Sequence, residues 1–311
     1  MAHYLDPKND LTFKRIFGEH PKLLISFLNA IMPLDRDRYI EEINYLPAEQ
    51  VPFSKGKRNS IVDVKCIDNK KNQFIVEMQM LWSEAFNNRM VFNAGKAYIR
   101  QLNKNEEYDL LKPVYTLALI NDIFDHQTDS FYHHYQIVNK ENTEEIIHGL
   151  EFVLVELPKF HPQNWEDRKL AALWLRFLNE VDENLKSLPL ELEENEDIRQ
   201  AAELCQEAAF TPEELALYDA YWDAIRIEKT IRNASLREGL AEGEAIGLER
   251  GEAIGLERGE AIGLEKGKAI ELEKVIINSY RQRIPIDTIT TVTNLTAEQI
   301  TEILRQHKID L

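Results

Sequence analysis

Apolar and polar residues alternate along two neighbouring segments of the chain, 61–66 and 74–79. With the polar run 68–72 as the turn, an antiparallel hairpin places Asp63 directly opposite Glu77. Its apolar pairs are then Val62 with Met78, Val64 with Val76, and Cys66 with Phe74. A slip of one residue would bury both acids in place of the apolar set, so this register is favoured. The pattern therefore predicts a core face and a second face that carries two carboxylates.

The surrounding pattern predicts an α/β fold. Helical periodicity covers about 10–17, with Asp10 as its N-cap, and also 21–31 and 84–103. Strands are predicted at about 38–46, 59–67, 73–80, 113–120, 130–138 and 150–156, and the nearly continuous apolar run 113–120 is typical of the middle of a sheet. The apolar side of the 84–103 helix is predicted to comprise Met90, Val91, Ala94, Ala97, Tyr98 and Leu102. These elements form a mixed β-sheet flanked by helices, followed from about residue 165 by an all-helical C-terminal region.

An octapeptide repeat, Gly-Glu-Ala-Ile-Gly-Leu-Glu-Arg, begins at residue 243 and occurs three times with one final change to Lys. Glycine recurs at every fourth position across 239–267, and this ladder holds eight of the 12 glycines. Each glycine in a helix costs about 1 kcal/mol relative to alanine. Close packing against a second copy could recover that cost, which predicts a homodimer through a long Gly-repeat helix. A partly disordered linker is the alternative reading.

The last segment, 284–311, contains two short helical patterns, and the second opens with a capping box from Thr296 to Gln299. It resembles a helix-turn-helix, although a helical hairpin that packs on its neighbours explains the same pattern. We therefore predict four parts: a domain at 1–160, a helical appendage at 161–233, the repeat helix at 234–280 and a small helix-turn-helix-like tail at 281–311.

Charge is distributed unevenly along the 311 residues. The net charge is −17, yet residues 1–110 carry 16 basic and 15 acidic side chains, so the acidity lies in the rest. Segment 85–105 has no acidic residue, and Lys96, Arg100 and Lys104 form a basic stripe at helical spacing. This stripe is either a surface for nucleic acid or an ordinary solvated face. No apolar run is long enough for a membrane span, the start lacks a signal-peptide pattern, and a cytoplasmic protein is expected.

The facing carboxylates suggest metal chemistry. Like charges opposite each other destabilise a sheet unless something compensates, and hard oxygen ligands suit Mg²⁺ or Mn²⁺. Phosphodiester hydrolysis needs such an ion together with a cation near the phosphate. Gln79 lies on the same face as Glu77 but carries no charge, so the candidate cations are Lys65 and Lys96. A solvated outer face is the simpler explanation of the acidic pair.

Four segments together resemble the PD-(D/E)XK nuclease superfamily, and specifically its Rpn branch of recombination-promoting nucleases, also described as transposases. They are the opening 9–18, the strand 61–64, the strand 75–79, and the stretch from Arg89 to Leu102. The repeat and the segment 295–300 are similar to the tail usual in this family. The resemblance implies a restriction-endonuclease-like fold and a metal-dependent DNA endonuclease with little sequence preference, linked to recombination or mobile elements.

The resemblance also implies roles for individual residues. Asp63 and Glu77 would bind Mg²⁺ or Mn²⁺, and Gln79 stands where the usual catalytic lysine would be. Lys96 would replace the missing charge. The predicted substrate contacts are Arg89, Lys65 and Arg100, and Asp10 and Lys14 are possible accessory residues. Val62 stands in place of the proline in the superfamily name. Two alternatives stay open: a non-catalytic oligomeric assembly or DNA-binding module that retains the fold, and a nuclease acting on RNA.

Overall fold

The computed structural model describes residues 3–34, 38–50, 60–165 and 168–309. The chain divides into two compact units, Met1–Thr230 and Ile231–Leu311. Within the described ranges, no helix is both long enough and apolar enough to cross a membrane. The division into four parts stays a prediction.

The first unit is built around a mixed sheet. Its strands are β1 (Ile43–Tyr45), β4 (Val64–Asp68), β5 (Gln73–Gln79), β6 (Val114–Ile120), β7 (Tyr132–Val138) and β8 (Ile146–Glu156), while β2 (Glu49–Gln50) and β3 (Ser60–Ile61) form a separate antiparallel pair. The strand order in the sheet is β1-β4-β5-β6-β8-β7. Strand β6 is parallel to both of its neighbours, and all seven of its residues are buried. The predicted interior strand and the predicted mixed sheet are both confirmed.

Helices flank this sheet. They are α1 (Asp10–Phe13), followed by a π-helical turn at Lys14–Gly18, α2 (Pro21–Ile31), α3 (Glu84–Ile99), α4 (Lys169–Glu180), α5 (Leu190–Glu193), α6 (Glu196–Leu204) and the start of α7 (Pro212–Arg281). The predicted Asp10 cap is wrong, because Asn9 is the N-cap and its side chain accepts the backbone N–H of Leu11 at 3.0 Å. Asp10 is instead the first helical residue, and its carboxylate pairs with Lys14 at 2.7 Å.

Two apolar clusters fix the helices on opposite sides of the sheet. Phe13, Ile16 and Phe17 are fully buried, and the Phe17 ring lies 5.5 Å from the Trp174 ring of α4. On the other side, Ala94 and Ala97 of α3 pack with buried residues of β5 and β6. Helix α3 ends at Ile99, earlier than predicted. The apolar-face prediction is also wrong for Val91, which is 50% exposed, because neighbouring helical residues point about 100° apart.

The predicted hairpin forms with the expected register over most of its length. Val64 lies opposite Val76 and Cys66 opposite Phe74. The predicted continuous strand at 59–67 is wrong, however, since within the described part it divides into β3 and β4 and leaves Val62 and Asp63 between them. Val62 consequently packs with Ala94 and Ala97 rather than beside Val64. The second face, predicted to carry the two carboxylates, is itself covered, since α3 packs over it.

The second unit contains most of α7, together with α8 (Ile286–Thr293) and α9 (Ala297–Gln306). Its core consists of Ile276, Ile289, Ile300 and Leu304. The capping box of α9 is confirmed, because Thr296 accepts the N–H of Gln299 and the Gln299 side chain accepts the N–H of Thr296. All eight ladder glycines lie in α7, and a Cβ added at any of them would meet no atom within 4 Å. Pairing through this ladder stays a prediction.

Candidate active site

Asp63 lies in the break between β3 and β4. Its Oδ2 accepts the backbone N–H of Met78 at 2.7 Å, so the carboxylate is held against the neighbouring strand β5. Burial raises the pKa of Asp63 to about 6, and the negative charges of Glu77 and Asp10 also raise it, while the Met78 N–H and Lys14 oppose the rise. The two carboxylates predicted to face each other are therefore within electrostatic range, and the sequence spacing identified the pair.

Glu77 extends from β5 toward α3. Glu77 is only 4% exposed, and its Oε1 accepts a hydrogen bond from Asn93 Nδ2 at 3.0 Å. Burial raises the pKa of Glu77, whereas this hydrogen bond and the charge of Arg89 lower it. The Oδ1 atom of Asn93 is buried without a hydrogen-bond partner in the described structure. A buried carboxylate and an unsatisfied amide oxygen therefore lie side by side.

Arg89, one helical turn before Asn93, connects Glu77 with Gln79. Its Nη2 lies 3.5 Å from Glu77 Oε2 and donates to Gln79 Oε1 at 2.7 Å. The other end of the Gln79 amide is also occupied, because Nε2 donates to the Leu81 carbonyl at 2.6 Å. Half of the Arg89 side chain is exposed, so its guanidinium links the buried carboxylate to solvent. Gln79 thus occupies the sequence position where the usual motif has lysine, and its side chain binds the Arg89 guanidinium.

The other predicted cations form a second group beside this one. Lys65 on β4 and Lys96 on α3 are both largely buried. Burial lowers the pKa of Lys65, and the charges of Arg100 and Lys96 lower it further. Burial likewise lowers the pKa of Lys96, together with the charge of Arg100. The Lys96 ammonium also lies 5.1 Å from the centre of the Phe92 ring. Three basic side chains are therefore concentrated at the β4 side of α3.

The N-terminal segment contributes to the electrostatics at Asp63. The charge of Asp10 raises the pKa of Asp63 and that of Lys14 lowers it, so both predicted accessory residues act on this carboxylate. Tyr221 of α7 is another neighbour. Burial raises its pKa, and the charges of Asp10 and Asp63 add to the effect. Neither Asn93 nor Tyr221 was predicted as a site residue. Asn93 lies on the turn between Arg89 and Lys96, which was the available signal, whereas nothing near Tyr221 in the sequence points to the site.

The chemistry of the Asp63 and Glu77 pair fits a divalent metal ion. Both side chains offer hard oxygen ligands, burial raises the pKa of both, and the orphaned Oδ1 of Asn93 belongs to an amide that contacts Glu77. A cation would stabilise the ionised form of the two acids. Asp63 and Glu77 are the side chains that would hold it.

A second acidic group is less suitable for a metal. Ligand atoms of Asp125, His133 and Glu156 lie within 4.8 Å of one another, and Glu156 is fully buried. The Lys159 ammonium already lies 3.0 Å from Glu156 Oε1, which also accepts from His133 Nε2 at 2.8 Å. Lys159 donates further to the carbonyl oxygens of Asp125 and Thr128. A metal would have to displace a cation that already neutralises Glu156.

Comparison with protein-family models matches residues 7–230 to the PD-(D/E)XK nuclease family transposase model. The matched range includes the hairpin, α3 and the N-terminal segment. The chain belongs to this family. Searches of the curated proteins and of the solved structures each found no match. Membership in the PD-(D/E)XK nuclease family transposases confirms the resemblance and the fold class, and supports a nuclease or transposase-like function of the kind that typically uses a divalent metal.

Proposed function

We propose that this protein is a metal-dependent DNA endonuclease that hydrolyses phosphodiester bonds with little sequence preference. The observation that carries the proposal is the pair of a partly buried Asp63 and a buried Glu77 on neighbouring segments of the hairpin, with the Arg89 guanidinium 3.5 Å from Glu77. Membership in the PD-(D/E)XK nuclease family transposases supports it. A role in recombination or mobile elements and a cytoplasmic location are part of the same proposal.

The side chains divide the work by their chemistry. When bound by Asp63 and Glu77, Mg²⁺ or Mn²⁺ would polarise the phosphate and lower the pKa of a bound water. Arg89, whose side chain is half-exposed, binds a phosphate oxygen and stabilises the negative charge that develops there. Gln79 positions Arg89, because both ends of its amide are engaged. Arg100 contacts the adjoining backbone of the DNA strand, and the charges of the largely buried Lys65 and Lys96 add to the positive potential there.

The test is nicking of supercoiled plasmid by the full chain in Mg²⁺, in Mn²⁺ and in EDTA. We expect nicking with either metal and none in EDTA. Asp63→Asn and Glu77→Gln keep the size of each side chain and remove its charge, so each is expected to lower the rate by at least about 100-fold. Circular dichroism establishes that the variants are folded.

The matched control is Glu84→Gln, which removes an exposed carboxylate from the first turn of α3. Its nicking rate should equal that of the wild type. If Asp63→Asn and Glu77→Gln nicked plasmid as fast as Glu84→Gln and the wild type, the carboxylate pair would not be the active site. A wild type that is folded and inactive in both metals would contradict the endonuclease assignment.

A second candidate is a DNA-binding or assembly module that keeps the fold without catalysis. The observation in its favour is the engagement of Gln79, which has no charge and whose amide contacts only Arg89 and the Leu81 carbonyl within the described structure. This candidate predicts DNA binding that is equal in Mg²⁺ and EDTA, with no nicking in either. Filter binding and plasmid nicking on the same preparation distinguish the two functions.

A further inference from the structure

Helix α3 carries an aromatic side chain beside its basic residues. At 100° per residue, Arg89, Lys96 and Arg100 fall within an arc of about 40°, and Phe92 lies about 40° from Lys96 on the flank of that arc. The contact between the Lys96 ammonium and the Phe92 ring, 5.1 Å to the ring centre, is consistent with this geometry. The buried side of the helix, with Ala94 and Ala97, faces the sheet. Phe92 therefore borders the basic stripe on the outside of the helix.

The ring is accessible to a ligand. Phe92 is 49% exposed, one turn after Arg89, whose guanidinium contacts Glu77 and Gln79. Single exposed apolar side chains are common and by themselves indicate nothing. Phe92 differs because the Lys96 ammonium lies 5.1 Å from its ring centre and because segment 85–105 contains no acidic residue that would repel a phosphate. An anionic ligand with planar, apolar parts is complementary to this surface.

We propose that Phe92 stacks against an unpaired base and that the substrate of the site is single-stranded DNA or an unpaired segment of DNA. This inference rests on the proposed nuclease function and specifies its substrate class. Aromatic side chains that flank a positively charged groove bind single strands by base stacking, whatever the sequence. In a duplex the bases are already stacked, and a ring can reach one only after it has been unstacked. Phe92 thus favours unpaired DNA, while Arg89 and Arg100 bind the phosphates of either form and the buried charge of Lys96 adds to the attraction.

Equilibrium binding tests this proposal separately from cleavage. Fluorescence anisotropy of the full chain is measured in EDTA with a labelled single strand of mixed sequence, with its duplex, and with RNA of the same sequence. Phe92→Leu keeps an apolar side chain and removes the aromatic face. We expect it to weaken binding of the single strand by at least about five-fold and to leave duplex binding within two-fold, about the scatter of such assays. Phe92→Trp should retain the affinity for the single strand.

Ile99→Ala is the matched control. Ile99 is 58% exposed and lies two turns along the same flank of α3, but it has no aromatic face. It should bind both forms of DNA like the wild type. Equal losses for single strand and duplex in Phe92→Leu, or no loss in either, would overturn the stacking role. Tighter binding of RNA than of single-stranded DNA would overturn the assignment to DNA.

The outcomes for the inference and for the proposed function can be told apart. A wild type that nicks plasmid, with normal binding in Phe92→Leu, refutes the stacking role and leaves the nuclease assignment intact. A wild type that binds the single strand through Phe92 but, in either metal, cleaves neither plasmid nor the labelled single strand refutes the nuclease assignment and retains the binding site.

Discussion

The substitution Asn93→Asp tests directly whether the side-chain amide of Asn93, on α3, contacts Glu77. The substitution preserves the size of a side chain that is 0% exposed, removes the donor to Glu77 Oε1 at 3.0 Å, and places a second carboxyl against it. Losing a hydrogen bond to a charged group costs about 1.5–3 kcal/mol. Two carboxylates in contact cannot both ionise cheaply, so the folded variant is expected to retain one proton between them.

The free energy of keeping one of the two carboxyls protonated sets the upper limit on the destabilisation caused by Asn93→Asp. Keeping a proton on a carboxyl whose ordinary pKa is near 4 costs about 4 kcal/mol at pH 7, at about 1.4 kcal/mol per pH unit. The variant should therefore unfold with a free energy about 2–4 kcal/mol below that of the wild type at pH 7, with Arg89 moderating the loss. The folded state binds a proton that the unfolded state releases above its pKa, so the deficit grows as pH rises from about 5 to 7 and nearly disappears near pH 4.

Urea unfolding followed by circular dichroism in EDTA, at several pH values in this range, measures the deficit. Asn88→Asp is the control, because Asn88 is an exposed asparagine on the same helix, and its stability should follow that of the wild type at every pH. If Asn93→Asp changed the free energy of unfolding by less than about 0.5 kcal/mol at pH 7, which is the size of an ordinary surface substitution, the contact between Asn93 and Glu77 would be refuted.

Three further predictions concern other parts of the chain. Arg89→Gln should lower the nicking rate by about 100-fold and Arg89→Lys by less, since the charge is kept; equal rates for both variants and the wild type would exclude a role for the guanidinium. Burial raises the pKa of Cys66 to about 12 and also raises that of Cys205. Neither thiol should therefore react with iodoacetamide near pH 8 until urea unfolds the first unit. Prompt labelling of the native protein, measured by mass spectrometry, would contradict the burial of these cysteines. Replacing the ladder glycines at 247, 251, 255 and 259 with alanine should raise the helicity measured by circular dichroism, because open space surrounds each Cβ position. Each substitution should stabilise the helix by about 0.5–1 kcal/mol. A loss of helicity together with a smaller mass by light scattering would instead indicate that a second copy packs against the ladder.

The sequence was sufficient for the hairpin register of Val64 with Val76 and of Cys66 with Phe74, because the alternation of apolar residues favours that pairing of the two strands. It was insufficient for Val62. Alternation assigned this residue to the face of Val64, but Asp63 accepts the N–H of Met78 and the strand is interrupted there. A hydrogen bond from the Met78 backbone to the Asp63 side chain thus stands where the strand is interrupted, and Val62 packs on the other side of the sheet. No periodicity in the sequence encodes that interruption.

The position of the positive charge at the site was likewise only partly predictable from the sequence. Helical spacing grouped Lys96, Arg100 and Lys104, but α3 ends at Ile99 and leaves Lys104 outside the helix. Spacing also could not say which cation reaches the carboxylates, since that depends on how α3 lies across the sheet. Ala94 and Ala97 pack toward β6 and β5, and this orientation brings Asn93 and Arg89 over Glu77. Lys96, one turn farther on, lies over Phe92 and beside Arg100. A glutamine at position 79 suits this arrangement better than a lysine would, because its amide oxygen accepts from the guanidinium, whereas an ammonium group there would repel it. Gln79 and Arg89 are therefore best understood as a coupled pair.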